Sequence, residues 1–307
     1  MTTCAPGFHL ALMGIDGVGK STLVKELAET ARGQGLPVRT VSWRGVVEEE
    51  GEESSFPKAE LRRLWVESFR AYFGGARTAQ GTPVELPVSF EDLYARGGTE
   101  YLNGVRVHDL RPDGALASAW IELAANTLLH QAVIEPAVAE GCAVLQESYG
   151  YKHLLKLFAY AEHLSPRMAE TASIGRALVA DYFGRVLQPD VGVYVAGDPR
   201  TALRWRRQQS ELGTFETFAS SGESAESSFL RLQEHTARAF GTFAQTHGWT
   251  RVDVLDAPRA QNRRRILAAL ARSPLADRLD LTEFDLGDFG PGQREPRQRD
   301  LKETGAR

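Results

Sequence analysis

Gly14 to Ser21 reads GIDGVGKS and fits the pattern G-x-x-x-x-G-K-[ST]. It follows an apolar run, Phe8 to Met13, that has the length of a strand. It opens a stretch, Lys20 to Arg32, in which Leu23, Leu27 and Ala31 have helical spacing before Gly33 ends it. A strand, a glycine-rich turn and a helix in that order bring consecutive backbone N–H groups and a positive helix end to one point, which suits a polyphosphate. Gly14, Gly17 and Gly19 let the backbone approach phosphate oxygens, and Asp16 and Val18 fill variable positions between them. Lys20 brings a point charge to the β- and γ-phosphates, the Ser21 hydroxyl can ligate Mg²⁺, and Thr22 adds a phosphate contact. The expectation is a nucleoside triphosphate bound with Mg²⁺, with GTPase, ATPase motor and small-molecule kinase all open. A GTPase normally reads guanine with an N-K-x-D segment, and no Asn-Lys dipeptide occurs here. That lowers the GTPase reading.

Pro37 to Trp43 (PVRTVSW) alternates as a second strand, so a strand–helix–strand unit with parallel pairing begins the chain. From Leu116 the pattern resumes with a long helix through LASAWIELAANTLLHQAVIEPAVAEG, a strand at CAVLQ, and two helical segments over about Lys152 to Leu187. A strand at Val191 to Ala196, an Arg-rich helix (TALRWRRQQ), a polar stretch to Glu223 and a helix to about His247 follow. A strand at Arg251 to Leu255 and a helix from Arg259 to Ala271 complete the series. Strands alternating with helices predict an α/β fold, a three-layer parallel sheet with helices on both faces.

Residues at about 46–115 interrupt that pattern and read as a helical insertion. Glu48, Glu49, Glu50, Glu52 and Glu53 crowd into a segment expected to be a solvated loop. Leu61, Trp65, Phe69 and Phe73 recur every fourth residue and form one helix stripe, expected to bury against the body. The expectation is one domain over 1–272, with a lid at about 204–223, followed by a mobile tail at 273–307 that is poor in aliphatics and rich in Gly, Pro and charge.

The 307 residues suffice for a sizeable core, and 36 Lys+Arg against 40 Asp+Glu give a net charge of −4. No global positive field draws in nucleic acid or anionic lipid. Cys4 and Cys142 suit neither a disulfide framework nor a zinc site. With no basic leader and no run of about 18 apolar residues, neither a signal peptide nor a membrane span is expected, and a reducing cytoplasm fits.

The loop GIDGVGKST resembles that of the thymidylate kinase family of P-loop nucleotide kinases, where Asp also follows the variable residue after the first glycine. Further segments resemble that family in the same order. HQAVIEPAVAEGCAVLQES is similar to its I-x-P-A-L-x-x-G turn and the strand leading to an Asp-Arg-Tyr motif. PDVGVYVAGDPRTAL is similar to its P-D-x-x-x-x-L-x-x-x-P-x-x-A-L strand and turn, and VLDAP to the end of its last strand near the adenine. The resemblance covers roughly residues 8–45 and 116–272.

What the resemblance implies is a P-loop kinase fold, Mg·ATP as donor, a small-molecule acceptor and a homodimer formed through helices beside the sheet. Catalysis of this type is mostly positioning and charge neutralisation. Asp16 would accept a hydrogen bond from an acceptor hydroxyl, and Arg44, after the second strand, would approach the transferred phosphoryl group. Val18 leaves the loop without an arginine, so a lid cation is needed over the γ-phosphate: Arg206 or Arg207, with Arg204 beside them.

The chain departs from the family at the acceptor side. Asp-Arg-Tyr stands here as Glu147-Ser148-Tyr149, and an arginine of the preceding helix is replaced by Thr127. Glu147 can still order Mg²⁺ water or accept a proton at a strand's carboxyl end, and Tyr149 remains an expected acceptor contact. Both arginines that, on the resemblance, would help hold the acceptor monophosphate or its base are lost. Lys152 and Lys156, where the family senses thymine, share a helix face and read either as an anion holder or as a solvated stripe. His153 reads as structural or exposed.

The expected activity is transfer of the γ-phosphoryl group of Mg·ATP to a nucleotide or nucleotide-like small molecule other than dTMP. A nucleoside or other hydroxyl-bearing metabolite is an alternative acceptor. From another class, the alternative is an ATPase or nucleotide-binding regulator without a small acceptor.

Overall fold

Five short strands, β1 (Phe8–Met13), β2 (Val38–Val41), β3 (Ala143–Gln146), β4 (Val191–Gly197) and β5 (Thr250–Val254), form one parallel sheet in the order β2-β3-β1-β4-β5. The structure is a computed structural model, and it describes residues 7–49, 56–78, 80–105, 107, 109–209, 212–218 and 223–282. In the middle strand, Leu10 stands opposite Leu145 on one side and Leu12 opposite Val193 on the other. All six residues of β1 are buried. A strand paired on both edges and covered on both faces carries a continuous buried run rather than an alternating one.

The sheet is flanked by α1 (Lys20–Gly33), α2 (Trp43–Glu48), α3 (Lys58–Phe73), α4 (Phe90–Ala95), α5 (Thr99–Gly104) and α6 (Pro112–Leu129) in the first half. In the second half stand α7 (Glu135–Ala139), α8 (Tyr151–Leu164), α9 (Ala169–Arg185), α10 (Pro199–Gln209), α11 (Ala225–Thr246) and α12 (Arg259–Leu270). The result is an α/β architecture with an all-parallel sheet, consistent with the three-layer arrangement expected from the alternation of elements.

Two expectations need correction. The helix predicted to run on through LASAWIELAANTLLHQAVIEPAVAEG instead breaks into α6, a π-helical turn at His130–Ile134 and α7. Pro136 explains it: a proline offers no N–H and its ring collides with the preceding turn, and the wider π turn takes up the misfit. The insertion packs against the body as its helix stripe predicts: α3 runs along α6, with Leu61, Tyr72 and Phe73 in the common core. Residues 273–282, expected to begin a mobile tail, are packed instead. A 3₁₀ turn at Pro274–Asp277 carries Leu275 and Leu279 into the core, and Gln34 bonds the Asp280 backbone in both directions. Residues 283–307 lie outside the described residues, as do Glu50, Glu52 and Glu53 of the acidic segment; Glu48 and Glu49 are exposed.

Strand order decides where chemistry can gather. The chain leaves β1 by the loop of Gly14 to Gly19, leaves β2 at Ser42, and leaves β3 at Glu147, all at the same edge of three adjacent strands. Open parallel sheets place ligands at such carboxyl ends.

Candidate functional site

The loop between β1 and α1 depends on its glycines for two reasons. Gly17 and Gly19 hold φ of 83° and 87°, a left-handed conformation that side chains resist. A Cβ at Gly14 would lie 2.5 Å from the Val195 carbonyl oxygen, and one at Gly17 would lie 2.8 Å from that of Ala202. The glycines thus press the loop onto β4 and α10. The Val18 side chain is buried, packed towards Gly197, so only its backbone can serve a phosphate.

Lys20 is buried at the start of α1, where its Nζ donates to the Ile15 carbonyl at 2.8 Å. Burial pushes the ammonium down to about 7, and the neighbouring Lys152 charge adds to that against the pull of Asp16 and Glu147. An anion placed here would restore the full charge. Next to it, exposed Ser21 donates its hydroxyl to Glu147 Oε1, joining the first turn of α1 to the residue after β3. A hydroxyl and a carboxylate beside a phosphate loop form the hard-oxygen set that suits Mg²⁺, which keeps several of its waters. Thr22 follows, half-buried in the same turn.

Asp16 is held on every side. Lys152 Nζ donates to Oδ1 and Lys156 Nζ to Oδ2, while Gln233 of α11 donates to Oδ2 at 3.1 Å and accepts the Asp16 N–H at 3.1 Å. Burial alone would raise the carboxyl, but the two lysines hold it well below the usual carboxylate range. Lys152 and Lys156 therefore form neither a solvated stripe nor an anion holder: both are buried and both face a carboxylate of the chain itself.

Beside the loop lies a cavity of about 430 Å³. Gln146, Glu147 and Ser148 form its base at the end of β3, and Trp65, Ser68 and Phe69 of α3 face Glu122 and Asn126 of α6. Phe215 and Glu216, from a 3₁₀ turn at Thr214–Glu216, close another side, and Asp16, Trp43, Arg44, His153 and Lys156 also line it. The aromatic stripe expected to bury on the body is thus divided. Leu61 and Phe73 are in the core, whereas half-buried Trp65 and Phe69 line the cavity. Burial pushes the Glu122 carboxyl up to about 8, with the Ser68 hydroxyl and Lys156 pulling the other way. His153 opens onto the cavity, and its crowded surroundings, then the Lys152 and Lys156 ammonium groups, push its imidazole down and keep it neutral at pH 7.

The remaining expected residues divide between near and far. Arg44 lines the cavity from the first turn of α2, where its guanidinium lies 3.0 Å from Glu48 and 3.7 Å from Glu100. Arg206 reaches the cavity only through Glu216, which its Nε meets at 2.6 Å. Arg204 pairs with Asp256 at 2.6 Å and Arg207 with Glu226 at 2.9 Å, both on the surface, because neither shares the inward face of α10. The segment read as a lid is anchored where it is described: Thr214 bonds the Val105 carbonyl at 2.6 Å, and Phe215 lies among Phe69, Tyr72 and Phe73. Tyr149 is no acceptor contact. It points into the core, where its hydroxyl donates to the Phe183 and Leu187 carbonyls at 2.7 and 3.0 Å and its ring packs on Trp249. Lys152 is likewise turned to Asp16 and does not line the cavity.

Glu122, Gln233 and Glu216 escaped the sequence reading, since single polar residues within helices or turns carry no periodic signal. Among the described residues no group of three or more His, Cys, Asp and Glu could hold a metal ion by itself, and no helix is long and apolar enough to cross a membrane. No protein-family model matches the chain, and no curated protein matches it.

Proposed function

We propose that this chain is a Mg·ATP-dependent phosphotransferase of thymidylate kinase-like type, with its small-molecule acceptor in the cavity beside the phosphate loop. One observation carries the reading: the two sites share residues. Asp16 belongs to the loop and lines the cavity, and Glu147, which lines the cavity, bonds Ser21 of the loop. A donor and an acceptor bound there would meet at Asp16 and Glu147.

The loop backbone and Lys20 would hold the polyphosphate. Ser21 and Glu147 would hold Mg²⁺, partly through water, and the ion would supply neutralisation of phosphate charge. Asp16 is ionised and held by two lysines, so it is a poor proton acceptor and serves to orient an acceptor hydroxyl. As the hydroxyl oxygen bonds to the γ-phosphorus and the bond to the β-phosphate oxygen breaks, Glu147, which lines the cavity and bonds the loop, would take the proton. Arg44 and Lys156 are cations at the cavity wall, and Arg206 would need to leave Glu216 to reach a phosphate.

The same reading extends to a homodimer, for which exposed Trp120 on α6 and Ile174 and Leu178 on α9 offer apolar surface. It also extends to a cytoplasmic setting, which the cysteine usage supports. ATP consumption with Mg²⁺ against nucleosides, nucleotides and hydroxyl-bearing metabolites tests it, with Lys20→Ala as control. Turnover that follows one acceptor and disappears in Lys20→Ala is the expected result. ATP binding and hydrolysis indifferent to every acceptor would favour the ATPase or regulator instead.

A further inference from the structure

The charge and shape of the cavity constrain the acceptor, given that the cavity is the acceptor site of a phosphotransferase. The carboxylates Asp16, Glu147 and Glu216 line it together with the Glu122 carboxyl, which burial keeps mostly protonated at neutral pH, against the cations Arg44 and Lys156. Each of those cations is already engaged. Lys156 faces Asp16 and also donates to the Phe215 carbonyl at 3.1 Å, and Arg44 lies against Glu48 and Glu100. A phosphate monoester brings nearly two negative charges at neutral pH. Among the described residues of the wall, it would have to draw a cation from an existing ion pair or sit beside Glu147 unneutralised, and both cost free energy.

The uncharged part of the wall is aromatic. Trp43 meets Trp65 edge to face at 4.6 Å and Trp65 meets Phe69 in the same way at 5.3 Å, which makes one row of rings along α2 and α3. Polar groups line the same cavity. The Ser68 hydroxyl donates a long 3.4 Å bond to the Glu122 carboxyl, and among the described residues the buried Ser148 hydroxyl has no hydrogen-bond partner. An apolar pocket with a few convergent polar groups binds flat, partly polar molecules and orients them.

We propose that the acceptor is an uncharged flat-ring compound bearing a hydroxyl, of the nucleoside type, and not a nucleoside monophosphate. Its ring lies against Trp43, Trp65 and Phe69, its hydrogen-bonding edge meets Glu122 and Ser148, and its hydroxyl points to Asp16 and Glu147. The aromatic insertion is then the part of the chain that selects the acceptor.

Steady-state phosphorylation of the common nucleosides and their 5′-monophosphates with Mg·ATP tests this. The expected result is a nucleoside whose kcat/KM exceeds that of its own monophosphate about tenfold or more. Glu122→Gln should raise the nucleoside KM about tenfold or more while leaving the KM for ATP unchanged. Trp65→Leu should act in the same direction, and Trp65→Phe should restore most of the loss. A monophosphate preferred over its nucleoside overturns the proposal, as does Mg·ATP binding with no nucleoside phosphorylated, or Glu122→Gln altering ATP and acceptor alike. Calorimetry with Mg·ATP separates the two levels. No ATP binding by the unaltered protein removes phosphotransfer itself, whereas ATP binding with a monophosphate preferred removes only the choice of acceptor.

Discussion

Lys152 Nζ donates to Asp16 Oδ1 beside the phosphate loop, and the pair is nearly buried, with side-chain exposures of 7% and 14%. Lys156 takes the other carboxylate oxygen. The carboxylate thereby ties the loop after β1 to α8. Asp16→Ala would strand both ammonium groups and should cost about 3–5 kcal/mol of stability. Lys152→Met leaves Lys156 on the carboxylate and should cost clearly less. Urea unfolding of the two variants compares them directly, and equal losses would show that Asp16 does not bind the lysines as a unit.

Lys20 predicts a proton linkage. Burial holds its ammonium at about 7 in the free protein, so at pH 8 the group is mostly neutral. A polyphosphate restores the charge, so binding Mg·ATP at pH 8 should take up about one proton. Calorimetry in buffers of different ionisation enthalpy reads this number. Uptake should increase between pH 6 and pH 8, affinity should fall as pH rises above 7, and Lys20→Met should abolish the uptake. Proton release, or uptake that survives in Lys20→Met, would place the linkage elsewhere.

The bond between Ser21 and Glu147 predicts a shared dependence on Mg²⁺. Glu147→Ala should raise the Mg²⁺ concentration needed for half-maximal activity about 10–100-fold, as loss of a carboxylate near a metal commonly does. Ser21→Ala should act in the same direction. Because both groups would serve one ion, the double variant should fall short of the product of the single effects. Independent, multiplying effects would separate Glu147 from the metal and leave it only a proton-accepting role.

Legibility in the sequence followed range. The loop was readable because strand, glycines, lysine and helix are consecutive, and the parallel sheet was readable because short, largely apolar runs such as β1 and β3 alternate with helices. The lysine pair shows where such reading stops. Spacing of four puts Lys152 and Lys156 on one face of α8, but nothing local says that this face meets Asp16, which is distant in the chain. Tyr149 fails for the same reason in reverse. It follows the strand end where a motif is expected, yet the turn into α8 sends its ring towards Phe183 and Trp249. Trp65 and Phe69 sit on a stripe whose ends are core and whose middle is cavity wall, a division that depends on where α6 lies. Gln233 is wholly buried on α11 and became visible only through its bonds to Asp16.

Glu122 gives a stability test that needs no substrate. Burial pushes its carboxyl from the usual 4.5 to about 8, against Ser68 and Lys156. A folded-state value above the unfolded one means that the folded protein holds the proton more tightly between those limits. Stability linked to this group is therefore complete below pH 4.5 and is lost as pH rises through about 8. A glutamine in its place carries no such proton. The Tm of Glu122→Gln relative to the unaltered protein should rise across that window and level off above it, measured by thermal unfolding at matched ionic strength. The rise should be smaller than full burial would give, because the group borders an open cavity. A difference that stays flat would mean that Glu122 is ionised throughout, and the edge it offers an acceptor would then be purely accepting.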